Sequence, residues 1–298
     1  MSTISGQTKL VAVLGNPVRH SISPVIHNAA FSEMNLDWSY LAIPCKPEDL
    51  KEVTNALLKM ECVGLNITIP HKREAIMLCE KVTSTAQQIG AVNTLVANRK
   101  GAWNGSNTDI DGFIAPLKDR DWKKKKVIIL GCGGSARAVL IGAKLLDFEQ
   151  FVIVSRNKYK VKEFIKEMEP KLMLNRNQSI EIIGLSEEDE EIEQHIKNAD
   201  LIVNTTPVGM FQNTKSSQKM PLGPKIWNNL KESTTLYDLI YTPKPTDWLR
   251  NGAKKNCKTI DGLEMLIEQG AASLKLWSGI EKIPTEVMRQ AALKYLNK

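Results

Sequence analysis

The chain has 298 residues, 42% of them hydrophobic, and this length allows two domains with buried cores. Its formal net charge of +7 comes partly from the run Lys123–Lys126, which has no interleaved aromatic residues and so indicates a solvated linker face rather than a nucleic-acid-binding surface. No stretch approaches the roughly 18 consecutive apolar residues of a membrane helix, and we find no signal-peptide core, so we expect a protein that acts away from membranes. The cysteines are scattered without metal-ligand spacing, which predicts reduced thiols in a cytoplasmic protein. They are Cys45, Cys62, Cys79, Cys132 and Cys257.

The first part of the chain predicts an α/β unit of its own. Apolar runs predict strands at Leu10–Leu14, Tyr40–Ile43, Gly64–Ile69, Val92–Ala97 and Ala102–Trp103, the last two forming a hairpin. Helices are predicted at Pro24–Met34, Pro47–Met60 and His71–Lys81, and a helix at Ile110–Leu117 is expected to lead into the second part.

Two serines precede the first predicted helix. Pro24 suits the first helical position and Ser23 suits the N-cap, while Ser21 lies two residues earlier and could point to the same place. A helix start with two hydroxyl groups makes a good receptor for a carboxylate. The alternative, a plain N-cap beside a surface serine, stays open.

The third predicted strand has an unusual polar face. The strand period of two places Asn66 and Thr68 on one side, opposite an apolar side that includes Leu65 and Ile67. Lys72 follows in the first turn of the next predicted helix, which makes it a candidate general acid–base group, although a solvated surface lysine is the alternative.

Two further polar residues could serve the same site. Asn93 falls within an apolar strand, where its amide needs partners. Asp109 could either cap the following helix or pair with Lys72 and orient its ammonium group. The four histidines show neither metal-ligand spacing nor the partners of a hydrolase triad, which leaves lysine as the best acid–base candidate in this part.

The stretch from Lys126 to Arg156 reads strand, glycine turn, helix and strand. Its turn has Gly131 and Gly133 in the first two places of the dinucleotide fingerprint and Ala136 in the third. The second strand ends in Ser155 and Arg156, with Lys160 one turn later, and no carboxylate follows it. Two cations without a carboxylate suit the 2′-phosphate of NADP, whereas an NAD site usually has Asp or Glu there.

Four more apolar runs follow the second of these strands, which gives six strands in all, the number of a complete doubly wound parallel sheet. They are Ile180–Ile183, Leu201–Val203, Leu236–Ile240 and Lys258–Ile260. The acidic run Glu187–Glu193 between them indicates a solvated surface. Tyr241 follows a predicted strand, and Met265 and Gln269 share one face of a predicted helix, Leu263–Leu276, although packing and solvent exposure would explain these three residues equally well. A last helix is predicted at Thr285–Leu296.

These motifs, in this order, closely resemble those of the shikimate dehydrogenase family. The resemblance runs from Val13 to about Trp277 and rests on several separate blocks, among them Asn-Ile-Thr-Ile-Pro-His-Lys, Gly-Ala-Val-Asn-Thr and Asp-Leu-Ile-Tyr. It implies an N-terminal α/β substrate-binding catalytic domain at 1–112, a doubly wound (Rossmann) NADP-binding domain at 113–260, and C-terminal helices at 261–298 that pack back on the substrate domain. The site is expected between the domains.

The resemblance also implies roles for individual residues. The catalytic pair is Lys72 and Asp109. The groups that hold the substrate carboxylate are Ser21, Ser23 and Tyr241, and those around the ring hydroxyls are Asn66, Thr68, Asn93 and Gln269. The pyrophosphate loop comprises Gly131, Cys132, Gly133, Gly134 and Ser135; the 2′-phosphate site comprises Ser155, Arg156 and Lys160; and Leu239 and Gly262 match positions near the nicotinamide.

The implied reaction is the reversible NADPH-dependent reduction of 3-dehydroshikimate to shikimate. Ser155 and Lys160 depart from the more usual Asn and Arg, so the preference for NADP could be weaker, and Glu264 replaces a common Gly. The alternatives are a quinate/shikimate dehydrogenase that uses both NAD and NADP, and an NADP-binding regulator without catalysis. We expect a small-molecule substrate and neither a nucleic-acid nor a membrane partner; the oligomeric state, a homodimer included, is left open.

Overall fold

The computed structural model describes residues 4–173, 180–210, 220–223 and 227–297. The chain divides into two compact units. The first unit is Met1–Gly112 with Leu266–Lys298, and the second unit is Phe113–Met265. In the described ranges we find no helix that is long and apolar enough to cross a membrane.

Twelve strands are assigned among the described residues: β1 Lys9–Gly15, β2 Trp38–Pro44, β3 Gly64–Ile67, β4 Cys79–Val82, β5 Thr94–Ala97, β6 Trp103–Ser106, β7 Lys126–Leu130, β8 Gln150–Val154, β9 Glu181–Leu185, β10 Leu201–Asn204, β11 Thr235–Asp238 and β12 Lys258–Ile260. The α-helices described are α1 Ser23–Glu33, α2 Leu50–Lys59, α3 Ser84–Ile89, α4 Asp109–Ile114, α5 Gly134–Leu145, α6 Lys158–Met173, α7 Ile192–Lys197, α8 Asp247–Lys254, α9 Gly262–Ser278 and α10 Thr285–Leu296.

The first unit contains a mixed six-stranded sheet in the order β2-β1-β3-β5-β6-β4. Strand β1 runs parallel to β2 and β3, whereas β5 is antiparallel to both β3 and β6. The carboxyl ends of β1, β3 and β6 therefore meet the amino end of β5 at one edge of the sheet. A buried cluster that includes Leu14, Leu65 and Trp103 stabilises the sheet, and α10 packs against α1.

The second unit contains a parallel six-stranded sheet in the order β12-β11-β10-β7-β8-β9. Counted within the unit, this is the doubly wound order 3-2-1-4-5-6, which confirms the predicted fold class. Strands β7, β8 and β10 are almost entirely buried, as expected for strands covered on both faces. The six predicted strands are present with small shifts at their ends.

The predicted helix His71–Lys81 is wrong. Residues 69–73 form a turn, a 3₁₀ helix follows at Glu74–Leu78, and Cys79–Val82 is strand β4. Strand β4 pairs with β6, where a Cβ at Gly105 would lie 2.6 Å from Cys79 Sγ. Close packing of Cys79 on this glycine favours sheet pairing over the weak local helix preference.

Two smaller predictions about local structure also fail. Ile69 is 68% exposed because β3 ends at Ile67, so the apolar face is shorter than predicted and Thr68 lies just beyond the strand. The N-cap of α1 is Ile22, without a side-chain cap hydrogen bond, and Ser23 is the first residue of the helix.

Candidate active site

The polar edge of the first unit holds a lysine–carboxylate pair. Lys72 Nζ lies 2.5 Å from Asp109 Oδ2, and the two side chains are 14% and 7% exposed. A hydrogen bond fixes the backbone of Lys72, whose carbonyl oxygen accepts from the Val92 amide at 2.7 Å. The Lys72 side chain is partly exposed, while that of its partner is buried.

The second oxygen of Asp109 is also occupied. Asn93 Nδ2 donates to Asp109 Oδ1 at 2.8 Å, and the backbone amide of Asp109 donates to Asn107 Oδ1 at 3.0 Å. Asn93 Oδ1 in turn accepts from the Thr108 amide and from Thr94 Oγ1, each at 2.8 Å. These bonds fix the carboxylate and leave Oδ2 to face the lysine.

Asn66 and its neighbours form a buried network beside this pair. Asn66 Oδ1 accepts a 2.7 Å hydrogen bond from the Tyr40 hydroxyl, and Asn66 Nδ2 donates to Ser273 Oγ at 2.9 Å. Ser273 Oγ also lies 2.9 Å from Thr94 Oγ1 and 3.1 Å from Thr108 Oγ1. Sequence reasoning missed Ser273, although the helical spacing of four from Gln269 on α9 could have indicated it.

The remaining candidates of the first unit are Ser21, Ser23, Thr68 and Gln269. Ser21 Oγ donates to Ser23 Oγ at 3.1 Å and accepts from the Ser23 amide at 3.2 Å, so the two hydroxyls do lie together. Burial raises the pKa of Tyr40, and a hydrogen bond from Ser23 opposes that shift, which links the serines to the Tyr40–Asn66 pair. Thr68 is half-buried at the end of β3, and Gln269 Nε2 donates to the Leu266 carbonyl at 2.9 Å.

The second unit has a glycine turn between β7 and α5. Gly131 has φ of +110°, and a Cβ there would lie 2.6 Å from Thr205 Oγ1, so the position requires glycine. A Cβ at Gly133 would meet no atom of the described residues within 4 Å, and Gly133 is the N-cap of α5. Open space in front of an uncapped helix start, with Gly134 and Ser135 as its first residues, fits a pyrophosphate group.

The cations predicted for a 2′-phosphate lie beyond β8. Arg156 and Lys160 are exposed, and the Lys160 amide donates to Asn157 Oδ1 at 3.1 Å. Burial raises the pKa of the Cys132 thiol, and this rise is opposed by a hydrogen bond with Ser155 and by the charges of Arg137 and Lys160. The basic end of β8 therefore lies near the glycine turn, as binding of one dinucleotide requires.

A buried carboxyl group, that of Asp238, accepts three hydrogen bonds at the end of β11 in the same unit. Asp238 Oδ1 accepts from Asn204 Nδ2 at 2.9 Å and from the Ile240 amide at 3.1 Å, and Asp238 Oδ2 accepts from Thr246 Oγ1 at 2.8 Å. Burial raises the pKa of Asp238 to about 7, although these hydrogen bonds oppose the shift. Sequence reasoning did not single out Asp238.

The residues that follow β11 pack closely against the start of α9. A Cβ at Gly262 would lie 2.1 Å from the Leu239 carbonyl oxygen, so only glycine fits there. Tyr241 is half-buried two residues beyond Leu239. No group of three or more His, Cys, Asp or Glu able to hold a metal occurs in the described ranges.

A doubly wound sheet with a glycine turn at its first helix defines the dinucleotide-binding class of α/β proteins. Comparison with known proteins narrows this class. A family model for the "Shikimate dehydrogenase substrate binding domain" matches residues 13–95, and one for the "Shikimate 5'-dehydrogenase C-terminal domain" matches residues 262–293.

Full-length relatives agree with these matches. A shikimate dehydrogenase (NADP(+)) from Prochlorococcus marinus (strain AS9601) is 45% identical over 293 residues, which are 98% of this chain and 100% of the relative. A solved shikimate dehydrogenase in complex with NADP+ has a TM-score of 0.87 at 35% identity and covers 100% of this chain and 99% of its own. Shikimate 5-dehydrogenase from Thermus thermophilus, in complex with NADP(H) and shikimate, has a TM-score of 0.80 at 30% identity, with 96% of this chain and 99% of its own covered. The chain therefore belongs to the shikimate dehydrogenase family.

Proposed function

We propose that this protein catalyses the reversible NADPH-dependent reduction of 3-dehydroshikimate to shikimate, a step in chorismate and aromatic amino-acid biosynthesis. The observation that carries the proposal is the 2.5 Å pair of Lys72 and Asp109 at the polar edge of the first unit, in a chain whose relatives act as shikimate dehydrogenases. The first unit would bind the substrate and the second unit would bind NADP.

Lys72 would be the general acid and base of the reaction. NADPH, when bound, supplies a hydride to the ring carbonyl. The Lys72 ammonium group would donate a proton to the oxygen as it becomes an alkoxide, and would take it back in the reverse direction. Asp109 would hold the ammonium group in place through Oδ2, because its other oxygen accepts a hydrogen bond from Asn93.

The substrate would be held by two sets of polar groups. Ser21, Ser23 and Tyr241 would bind its carboxylate, and Asn66, Thr68, Asn93 and Gln269 would bind its ring hydroxyls. Asn66 and Asn93 are 6% and 2% exposed, so the atoms that they offer to a hydroxyl belong to amides already fixed by the protein. Because these donors and acceptors are already fixed, the protein pays little entropy to order its own side chains when the ring binds.

The cofactor would be held by residues of the second unit. Backbone amides from Gly131 through Cys132, Gly133 and Gly134 to Ser135 would bind the pyrophosphate, and Leu239 and Gly262 would lie near the nicotinamide. Ser155, Arg156 and Lys160 would bind the 2′-phosphate. Lysine is a point charge rather than a planar fork, so Lys160 would bind phosphate less specifically than arginine.

The cysteines bear on where in the cell the protein acts. All five cysteines are free thiols, which supports a reducing compartment such as the cytoplasm. We propose no nucleic-acid partner, since the substrate and cofactor are small anions that account for a basic protein. A measurement of mass in solution tests whether the protein forms a homodimer.

The test is an assay of the purified protein with shikimate and NADP+, followed by NADPH absorbance, with quinate and NAD+ in parallel. Rapid reduction with shikimate and NADP+ alone is the expected result. Comparable turnover with quinate or NAD+ would replace the proposal by the broader quinate/shikimate activity. NADP+ binding without turnover of any pair would contradict the catalytic proposal and favour a regulator.

A further inference from the structure

The acidic run that begins at Glu187 lies beside the cationic end of β8. Strands β8 and β9 are parallel, with Val154 opposite Leu185 as their last registered pair. The ladder continues past that pair, since the Ser155 amide donates to the Leu185 carbonyl at 3.3 Å. Arg156 and Glu187 each lie two residues beyond that pair, Arg156 in the bend after β8 and Glu187 in the turn after β9.

Asp189 fixes the turn that carries Glu187. Asp189 Oδ2 accepts a 2.7 Å hydrogen bond from the Ser186 amide, and Asp189 Oδ1 lies 2.5 Å from Lys158 Nζ in the first turn of α6. The turn after β9 is thus tied to the start of α6, which is the segment between Arg156 and Lys160. The backbone of Glu187 is therefore tied to the segment that carries Arg156 and Lys160.

Glu187 differs from its acidic neighbours in its surroundings. Glu187 is half-buried, whereas Glu188 and Glu190 are exposed. Burial raises the pKa of Glu187, and the positive charge of Arg156 opposes that rise, so the two groups interact electrostatically. Among the ion pairs found within 4.0 Å in the described part of the chain, none involves Arg156, so its guanidinium group remains available to a phosphate.

We propose that Glu187 is a cofactor-specificity residue that weakens the preference for NADP over NAD. Its carboxylate opposes the 2′-phosphate that Arg156 would bind, and competes with it for the same guanidinium group. NAD carries no 2′-phosphate and meets no such opposition. This inference rests on the proposed use of NADP, and it gives the acidic run a function that the sequence pattern alone did not.

The expected size follows from Coulomb's law. A phosphate group carries about −1.5 to −2 charges at pH 7, and a carboxylate several ångströms away in a largely aqueous setting repels it weakly. Removal of the carboxylate charge should therefore tighten binding of a 2′-phosphate by roughly 3- to 10-fold. The effect should shrink in high salt, because the groups lie at the protein surface.

The experiment compares Glu187→Gln with the wild type by titration calorimetry, without turnover. The ligands are NADP+ and NAD+, together with 2′,5′-ADP and 5′-AMP, which isolate the 2′-phosphate from the nicotinamide half. We expect Kd to fall roughly 3- to 10-fold for NADP+ and 2′,5′-ADP and to change less than about two-fold for NAD+ and 5′-AMP. The control, Glu188→Gln, removes the same charge from the adjacent exposed residue and should change each Kd less than about two-fold.

An unchanged Kd for 2′,5′-ADP in Glu187→Gln would overturn the proposal. Equal tightening of all four ligands, or an equal effect of Glu188→Gln, would also overturn it, since either result reflects overall charge. The proposed function fails separately: a protein that binds NADP+ without turnover would still show the Glu187 effect, whereas an active enzyme with an unchanged ratio would contradict only this inference.

Discussion

Asp109 is the residue on which the arrangement at the polar edge of the first unit depends. Both of its oxygens are used, one by Lys72 at 2.5 Å and the other by Asn93 at 2.8 Å, and the side chain is almost fully buried. A buried carboxylate with these two partners can change its position only if the network around it changes. Its charge is therefore the feature that a substitution should test.

The substitution Asp109→Asn should lower kcat while substrate and cofactor still bind. The amide removes the negative charge that holds the Lys72 ammonium group, and we expect kcat to fall about 100-fold or more with Kd for NADP+ within about two-fold. Asp111→Asn is the matched control, since Asp111 is exposed two residues later on α4. Steady-state kinetics and calorimetry measure both quantities, and equal kcat values for the two variants would exclude the positioning role of Asp109.

A second residue-scale prediction concerns pH. The His27 ring is stacked on Tyr40 at 4.3 Å, and neither of its nitrogens has a hydrogen-bond partner among the residues that the structure describes. Burial lowers the pKa of His27 from 6.5 to about 3. Between these two values His27 binds a proton in the unfolded chain but not in the folded chain. The contribution of His27 to the free energy of unfolding is therefore fully present above pH 6.5 and is lost as the pH falls toward 3.

This loss should amount to about 1.4 kcal/mol per pH unit over that window. His27→Leu should reduce the acid dependence of the unfolding free energy by this amount, whereas His20→Leu, at an exposed position, should not. Chemical denaturation at pH 7, 6 and 5 measures the slopes. Parallel slopes for the wild type and His27→Leu would show that His27 is not the group responsible.

At the scale of elements, two glycines of the turn before α5 should have different roles, Gly131 in stability and Gly133 in cofactor binding. Gly131 adopts φ of +110° with Thr205 against it, so alanine there should cost about 1–3 kcal/mol of stability. Gly133 has an ordinary φ of −87° and open space around it, so alanine there should be tolerated. We expect Gly133→Ala to fold as the wild type does and to raise Kd for NADP+ about ten-fold, since the methyl group takes space meant for a phosphate.

Thermal unfolding and calorimetry on the two variants check this prediction. Gly133→Ala serves as the control for Gly131→Ala, because both add one methyl group to the same turn. Loss of stability in Gly133→Ala, or unchanged NADP+ binding in it, would show that the turn does not hold a pyrophosphate in the way that we propose.

The elements also show what the sequence could predict. Strands β7, β8 and β10 of the second unit were predictable because each is a nearly continuous apolar run, as buried parallel strands require. Strand β4 was not, since Cys79-Glu-Lys-Val82 has no such pattern and forms because β6 offers an edge and Gly105 offers space. Helix α3 was missed as well; Thr83 accepts from the Ala86 amide and caps a helix too short for a clear apolar period.

The candidate site was predictable to the extent that its motifs are local. Ser21 and Ser23 are neighbours in sequence, and their hydroxyls lie together. The contacts of Asn66 with Ser273 and Tyr40 join residues far apart in sequence and depend on the completed fold. The sequence pattern therefore indicated which residue types matter and left out the buried groups that orient them.

At the scale of the whole molecule, the two units differ in which ligand they should respond to. Residues of the second unit carry the glycine turn and the cations, so NADP+ at 100 times its Kd should add about 2.7 kcal/mol to the opening free energy of that unit. Hydrogen exchange should show the added protection in β7, β8 and β10 and little in β1 and β3. Protection of β1 and β3 equal to that of β7 would contradict this assignment.

The proposed function depends most directly on Lys72, which would carry the proton transfer of a shikimate dehydrogenase. The most direct measurement is kcat for NADP+ reduction by shikimate in Lys72→Met, beside Lys81→Met as a control at an exposed lysine of β4. We predict that kcat falls about 100- to 10,000-fold in Lys72→Met, with NADP+ still bound, and stays near the wild-type value in Lys81→Met. A Lys72→Met enzyme that keeps more than about a tenth of the wild-type kcat would contradict this role for Lys72.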